Sequence, residues 1–125
     1  MLGRYRIVRG KRPPDDPLPK GIRQDTRKHT HHFLRPSEEI VSEYLADPTS
    51  AAWKRFEREY RKLIAERFKE DRRPFDELAE LASREDVWLG CNCPTERNPD
   101  VHHCHTVVAL DFMKKRYPKL KVRFP

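Results

Sequence analysis

Apolar side chains recur through the middle of the chain at the spacing of an α-helix. They lie three, four, three, one and four residues apart, at Trp53, Phe56, Tyr60, Leu63, Ile64 and Phe68. The positions between them are almost wholly charged, so one face is apolar and the other is solvated. This pattern predicts a long helix that begins at Thr49 or Ser50 and packs its apolar stripe on a core.

Two shorter helices are predicted on either side of it. The first begins after Ser37, whose hydroxyl can cap the helix, and it ends at Asp47-Pro48. The other has Pro74 in its first turn, where proline is tolerated, and carries a stripe of small and apolar residues at Phe75, Leu78, Ala79, Leu81 and Ala82.

Strand patterns occur near both ends of the chain and after the third helix. Tyr5 and Ile7 alternate with arginines over residues 4–9, and residues 120–124 alternate apolar and basic side chains. Residues 86–91 form a short apolar run that predicts a buried central strand. A further helix is expected over 101–117, after the start signal of Asn98-Pro99-Asp100.

This order of elements predicts an α/β fold, namely a small layered domain with a mainly parallel sheet and helices packed on it. The chain of 125 residues suits one hydrophobic core, so we expect residues 1–125 to form a single domain. Residues 11–36 hold five prolines and several basic residues without a sustained period, and we expect a long Pro-rich basic loop.

Charge is distributed unevenly. The formal net charge is +7, and an acidic middle segment is flanked by basic ends. Such ends attract phosphates, so an anionic small molecule and a nucleic acid are both candidate partners. The candidate anion contacts are Arg9, Lys20, Arg23 and Arg35. Proteins that bind nucleic acid usually interleave aromatic with basic residues, and the first 35 positions contain only two aromatic residues, Tyr5 and Phe33, which weakens the case for nucleic acid. No apolar run approaches a membrane span, and we expect a cytoplasmic protein with no membrane partner.

The chemistry-bearing residues cluster around the predicted central strand. All three cysteines lie among histidines, and one cysteine ends the strand while another precedes the next helix. The set of Cys91, Cys93, Cys104 and His103 has the composition of a zinc site, although one residue between paired cysteines is fewer than zinc motifs usually have. A reactive-thiol site is the alternative, with Cys104 as nucleophile and His105 as base. The cluster of His29, His31 and His32 in the basic loop is a second, weaker candidate.

Several of these segments resemble a known family. The helix start Pro36-Ser37-Glu38-Glu39, the later Asp47-Pro48 with Trp53, and the strand Val87-Trp88-Leu89 are similar to segments of domain of unknown function 488, including its YeaO-like branch. In related forms, a Cys follows the strand and a Cys-His-Arg motif begins the last helix. Cys91 and Cys104-His105 match this pattern, and Thr106 stands where the Arg would be. The resemblance implies the fold, while the family's name states that its activity is not established.

Three functions therefore stay open on the sequence. The first is a small cytoplasmic α/β protein whose Cys/His site at the end of the central strand binds an anionic or nucleotide-like ligand. The second is a zinc- or iron-binding or redox-sensing module, and the third is a basic accessory protein that associates with nucleic acid. The residue pattern does not decide whether the protein is an enzyme.

Overall fold

A three-stranded parallel sheet lies at the centre of the protein. The computed structural model describes all 125 residues, with strands β1 (Leu2–Arg6), β2 (Ile22–Asp25) and β3 (Val87–Cys91). Their order in the sheet is β1-β3-β2, and β3 pairs in parallel with both neighbours. The apolar run at 87–91 is therefore the central strand, as its composition predicts.

Four helices accompany the sheet: α1 (Glu38–Ala46), α2 (Ser50–Glu70), α3 (Arg73–Arg84) and α4 (His105–Arg116). The first two are capped as the sequence predicts, because the side chains of Ser37 and Thr49 accept hydrogen bonds from backbone N–H groups three residues further along. Such a cap satisfies a backbone donor that the helix itself leaves unpaired.

One hydrophobic core joins the helices to the sheet. It contains the α2 stripe, one face of α3, most of α4 and the inward side chains of β1 and β3. Since α4 contacts both β1 and β3, its first turn is placed against the end of the central strand. The prediction of a small α/β fold with a parallel sheet is confirmed. No helix is both long and apolar enough to span a membrane.

The segment 11–36 is less irregular than its composition suggests, because it contains β2. This strand has four residues, and Ile22 is the only apolar one. It shows no hydrophobic period because its place is determined by backbone pairing with β3, from Ile22 opposite Val87 to Asp25 opposite Gly90.

Two boundaries near the C-terminus also differ from the sequence prediction. The last helix begins at His105 instead of residue 101, because the Asp100 side chain accepts hydrogen bonds from His102 in a turn that precedes the helix. The expected strand at 120–124 is reduced to a single parallel bridge between Val122 and Leu2.

Candidate metal centre

Three cysteine sulfurs converge where the central strand ends. The Sγ atoms of Cys91, Cys93 and Cys104 all lie within 4.8 Å of one another, and those of Cys91 and Cys93 are 3.9 Å apart. A tetrahedral ion with metal–sulfur bonds of about 2.3 Å holds its sulfurs about 3.8 Å apart. The three close cysteines can therefore hold a metal ion.

The three cysteines belong to three different parts of the fold. Cys91 is the last residue of β3, Cys93 lies two residues further in the connecting loop, and Cys104 is the N-cap residue of α4. Cys91 and Cys104 are buried, whereas Cys93 is partly exposed. The cluster thus occupies the carboxyl end of a parallel strand, the usual location of ligand sites in open α/β sheets.

Asn98 holds the loop between Cys93 and α4 in place. Its side chain is 4% exposed, and its Nδ2 donates to the carbonyl oxygen of His103 at 2.7 Å and to the Cys93 Sγ at 3.4 Å. Its Oδ1 accepts a hydrogen bond from the Tyr44 hydroxyl at 2.9 Å. One buried amide therefore fixes the loop, orients a cysteine sulfur and links both to α1.

The thiols share their protons unequally. Hydrogen bonds from Cys91 and then Cys93 hold the pKa of Cys104 well below the usual thiol value. The hydrogen bond to Cys104 is the largest cause that raises the pKa of Cys91, and it raises the pKa of Cys93 to about 11. A divalent cation would stabilise the deprotonated form of all three sulfurs, including the two whose pKa is raised.

A second layer of hydrogen bonds surrounds the sulfurs. The Thr106 hydroxyl donates to the Cys104 Sγ at 3.1 Å, and the Arg4 Nε donates to that same hydroxyl at 2.8 Å. The other end of the guanidinium donates to the carbonyl oxygen of Cys93 at 2.7 Å. Such outer contacts orient sulfur ligands and stabilise their negative charge.

His105 is positioned by a buried hydroxyl. The Thr26 Oγ1 donates to the carbonyl oxygen of Gly90 at 3.0 Å, and it lies 2.8 Å from the Nε2 of His105. Because a hydroxyl has one proton to donate, Thr26 accepts from Nε2–H, so Nδ1 is the ring nitrogen that faces Cys104. That Nδ1 lies 4.0 Å from the Cys104 Sγ, so it can accept a proton from the thiol.

The cysteine cluster forms part of the wall of a cavity of about 310 Å³. Aromatic side chains of α1 and α2 line another part of it, and the His103 ring stacks on Trp53 with centroids 5.0 Å apart. Lys28, just after β2, adds positive charge, and its neighbour Arg27 also lines the cavity but pairs with Asp25 at 2.8 Å. The cavity therefore combines sulfur, aromatic and cationic surfaces.

His103 lies near the cysteines but faces elsewhere. It is not among the residues whose ligand atoms converge, since its ring stacks on Trp53 and its Nδ1 lies 3.4 Å from the Tyr44 hydroxyl. A four-ligand Cys₃His set is therefore not assembled in this structure. The other histidines of the basic loop separate as well: His31 is exposed, and the Nε2 of His32 bonds to the Gln24 side chain.

The four cationic residues expected to contact an anion do not line this cavity. Arg9, Lys20 and Arg23 are exposed, and Arg35 donates to the carbonyl oxygen of His32. The reason is the direction of β2. Since it runs parallel to β3, its carboxyl end reaches the cysteines, so Arg27 and Lys28, which follow it, line the cavity, whereas Arg9 and Lys20, which precede it, do not. Arg23 lies within β2 itself, and Arg35 is held by the His32 carbonyl oxygen.

Several site residues carry no sequence signal of their own. Thr26, Asn98 and Tyr44 are ordinary polar residues. Only the tertiary structure shows that they are buried, that Thr26 is hydrogen-bonded to His105, and that Tyr44 is hydrogen-bonded to Asn98. Arg27 and Lys28 are two among many basic residues. The Cys and His types, in contrast, point to the site from the sequence alone.

Comparison with known proteins identifies the family. The model of DUF488-N3a, described as the active DUF488-N3 subclade, matches residues 3–117. No curated protein and no solved structure matches the chain. The match covers β1 through the end of α4, including all three cysteines. With the resemblance of its motifs thus confirmed, this chain belongs to the DUF488 family of domains of unknown function.

Proposed function

We propose that the protein binds one zinc ion through the sulfurs of Cys91, Cys93 and Cys104, and that the fourth coordination position takes an exogenous ligand from the cavity. The convergence of the three Sγ atoms within 4.8 Å carries this proposal. Three protein ligands with an open position are typical of zinc sites that do chemistry, whereas structural zinc sites have four.

Sulfur chemistry and spacing favour a single zinc ion. Thiolates suit zinc, copper(I) and iron–sulfur clusters, and carboxylate-preferring metals are disfavoured. The 3.9 Å separation of the Cys91 and Cys93 sulfurs suits bonds to one ion of about 2.3 Å each. The hydrogen bonds that Asn98 and Thr106 donate to the sulfurs would stabilise their charge in the bound state.

The cavity also suggests the chemical class of the exogenous ligand. Lys28 and His29 line it beside the cysteines, and the stacked rings of Trp53 and His103 give it an aromatic wall. An anionic ligand with a planar ring, such as a nucleotide, fits both features because the Lys28 ammonium attracts its charge and aromatic rings stack on its base. The proposal of a nucleotide-like ligand is more specific than the proposal of a zinc site, and it is tested separately.

Metal content and thiol reactivity test the first proposal. Untagged protein is analysed by plasma mass spectrometry, and its free thiols are counted with Ellman's reagent before and after denaturation. We expect about one zinc per chain, with all three thiols protected until the protein unfolds. Cobalt substitution should produce thiolate-to-cobalt charge-transfer absorption.

Substitutions identify the ligands. Cys93→Ser, at the most exposed of the three positions, should lower zinc affinity sharply, and Cys104→Ser should do the same. His103→Ala is the matched control, because it removes a neighbouring side chain that does not converge with the sulfurs. Full zinc retention in His103→Ala with loss in both cysteine variants supports the three-sulfur site.

Two outcomes would overturn the zinc site. Metal-free protein with one fast-reacting thiol would shift the assignment to Cys104 as a nucleophile with His105 as its base. A disulfide among the three cysteines in freshly purified protein would favour the redox-sensing alternative.

For the ligand, adenosine 5′-monophosphate is titrated by calorimetry. Binding that weakens in Lys28→Ala but not in the control Arg23→Ala supports the cavity as its site.

A further inference from the structure

The sheet has a second face, turned away from the helices. Along β3, Leu89 is buried in the core, so the alternating neighbours Trp88 and Gly90 point to the opposite side. There, Trp88 and Tyr5 are only partly buried, and they line a groove of about 700 Å³. The groove is lined by β1, β3 and loops, and no helix contributes to it.

Two glycines hold these aromatic rings flat against the sheet. A Cβ atom built on Gly3 would lie 2.8 Å from the Trp88 ring, and one on Gly90 would lie 2.7 Å from the Tyr5 ring. Each ring therefore packs on the bare backbone of the neighbouring strand. The Trp88 Nε1 also donates to the carbonyl oxygen of Lys20 at 2.8 Å. The two rings thus form an ordered aromatic surface on an open sheet.

The groove is strongly basic. Four arginines line it, from β1, the loop that follows and the C-terminal segment: Arg4, Arg6, Arg12 and Arg123. One carboxylate, that of Asp16, lies among them and pairs with both Arg6 and Arg12. The groove therefore has an excess of about three positive charges beside two aromatic rings.

We propose that this groove binds single-stranded nucleic acid, with bases stacked on Tyr5 and Trp88 and backbone phosphates paired with the arginines. The charge excess favours a polyanion, and the partly exposed rings favour one whose bases are unstacked. A duplex hides its bases, and the flat sheet offers no helix to enter a major groove. The site differs from the cysteine cavity in its two rings, although the two sites adjoin at Arg4, whose guanidinium donates to Thr106 and to the carbonyl oxygen of Cys93.

Fluorescence anisotropy of a labelled eight-nucleotide oligothymidylate tests this proposal. With about three phosphates neutralised, the logarithm of the association constant should fall with the logarithm of salt concentration with a slope of about −2. An unlabelled duplex of equal length should compete poorly. The measurement is made on the full chain with its metal content unchanged.

Reversing one charge in the groove tests whether the arginines bind the phosphates. Arg123 is exposed and lines the groove, so Arg123→Glu should weaken binding at least tenfold and reduce the salt slope. Arg73→Glu is the matched control, because it makes the same charge change at a residue whose side chain is 83% exposed on α3, outside the groove. Trp88→Leu should weaken binding by about 5- to 100-fold through lost stacking.

Several results would overturn the proposal. Absence of binding at low salt would do so, as would an equal loss in Arg73→Glu, which indicates nonspecific attraction to net charge. Equal affinity for the duplex would exclude the stacking role of the rings. Dimerisation that Arg123→Glu abolishes in sedimentation experiments would assign the face to a second copy of the chain.

Discussion

The hydroxyl of Thr26 connects the central strand to the first turn of α4. It is fully buried, donates to the carbonyl oxygen of Gly90 at 3.0 Å and lies 2.8 Å from the His105 Nε2. Thr26→Val keeps the shape of the side chain and replaces the hydroxyl by a methyl group. Both side-chain hydrogen bonds are then lost, while the backbone can stay in place.

The loss of stability in Thr26→Val depends on which hydrogen bonds Gly90 and His105 retain. The Gly90 carbonyl still accepts from the backbone N–H of Thr26 at 3.1 Å, so the His105 Nε2 is the group left without its partner. An unpaired buried polar group costs about 1–3 kcal/mol, and the added methyl returns about 0.8 kcal/mol. We expect the free energy of unfolding to fall by about 0.2–2 kcal/mol, and Tm by up to about 8 °C.

Urea unfolding monitored by far-UV circular dichroism measures this difference at a fixed zinc concentration. Thr26→Ser is the control, because it keeps the hydroxyl and loses only a methyl group. We expect Thr26→Ser to retain the His105 contact, and the unfolding slope to be unchanged in both variants. A Thr26→Val protein as stable as the wild type would refute the inferred hydrogen bond to Nε2.

Three further predictions concern other buried contacts. Burial lowers the pKa of His32 from 6.5 to about 4. Between these pH values the unfolded chain is therefore protonated at His32 while the folded chain is not. The stability present at pH 7 should fall by about 2–3 kcal/mol as the pH drops from about 6.5 to 4, and a urea series across pH should lose this component in His32→Gln. The buried Tyr60 hydroxyl donates to the carbonyl oxygen of Leu34 at 2.6 Å, so Tyr60→Phe should cost about 1–2 kcal/mol in urea unfolding. Gly90→Ala forces the Tyr5 ring to move and should lower stability by about 1–3 kcal/mol; an unchanged urea midpoint would contradict the close contact.

Helix positions could be predicted because their signals are local. The caps at Ser37 and Thr49 act on backbone groups three residues away, and the α2 stripe repeats within a few turns. The central strand at 87–91 is visible for the same reason, because it is a short run of apolar residues between a helix and a polar loop. These features follow from neighbouring residues, so no knowledge of the tertiary structure is needed.

The residue types of the site were also visible, but their grouping was only partly predictable. Cysteine and histidine are rare enough that their clustering indicates chemistry. Spacing suggested His103 as a ligand, whereas the structure stacks its ring on Trp53, a residue of another helix. Likewise, the four cations named from the sequence do not line the cavity, whereas Arg27 and Lys28, which follow β2, do.

By itself, the sequence determined the helices, the central strand, the family and the cysteines as the chemical focus of the protein. Only the tertiary structure decided that β2 joins the sheet, that Asn98 fixes the loop beside Cys93, and that Trp88 and Tyr5 line one groove on the open face. These outcomes depend on contacts between residues far apart in the chain. Such contacts leave no period or spacing in the sequence, because each partner is chosen by the packing of whole elements and by the direction in which each strand runs.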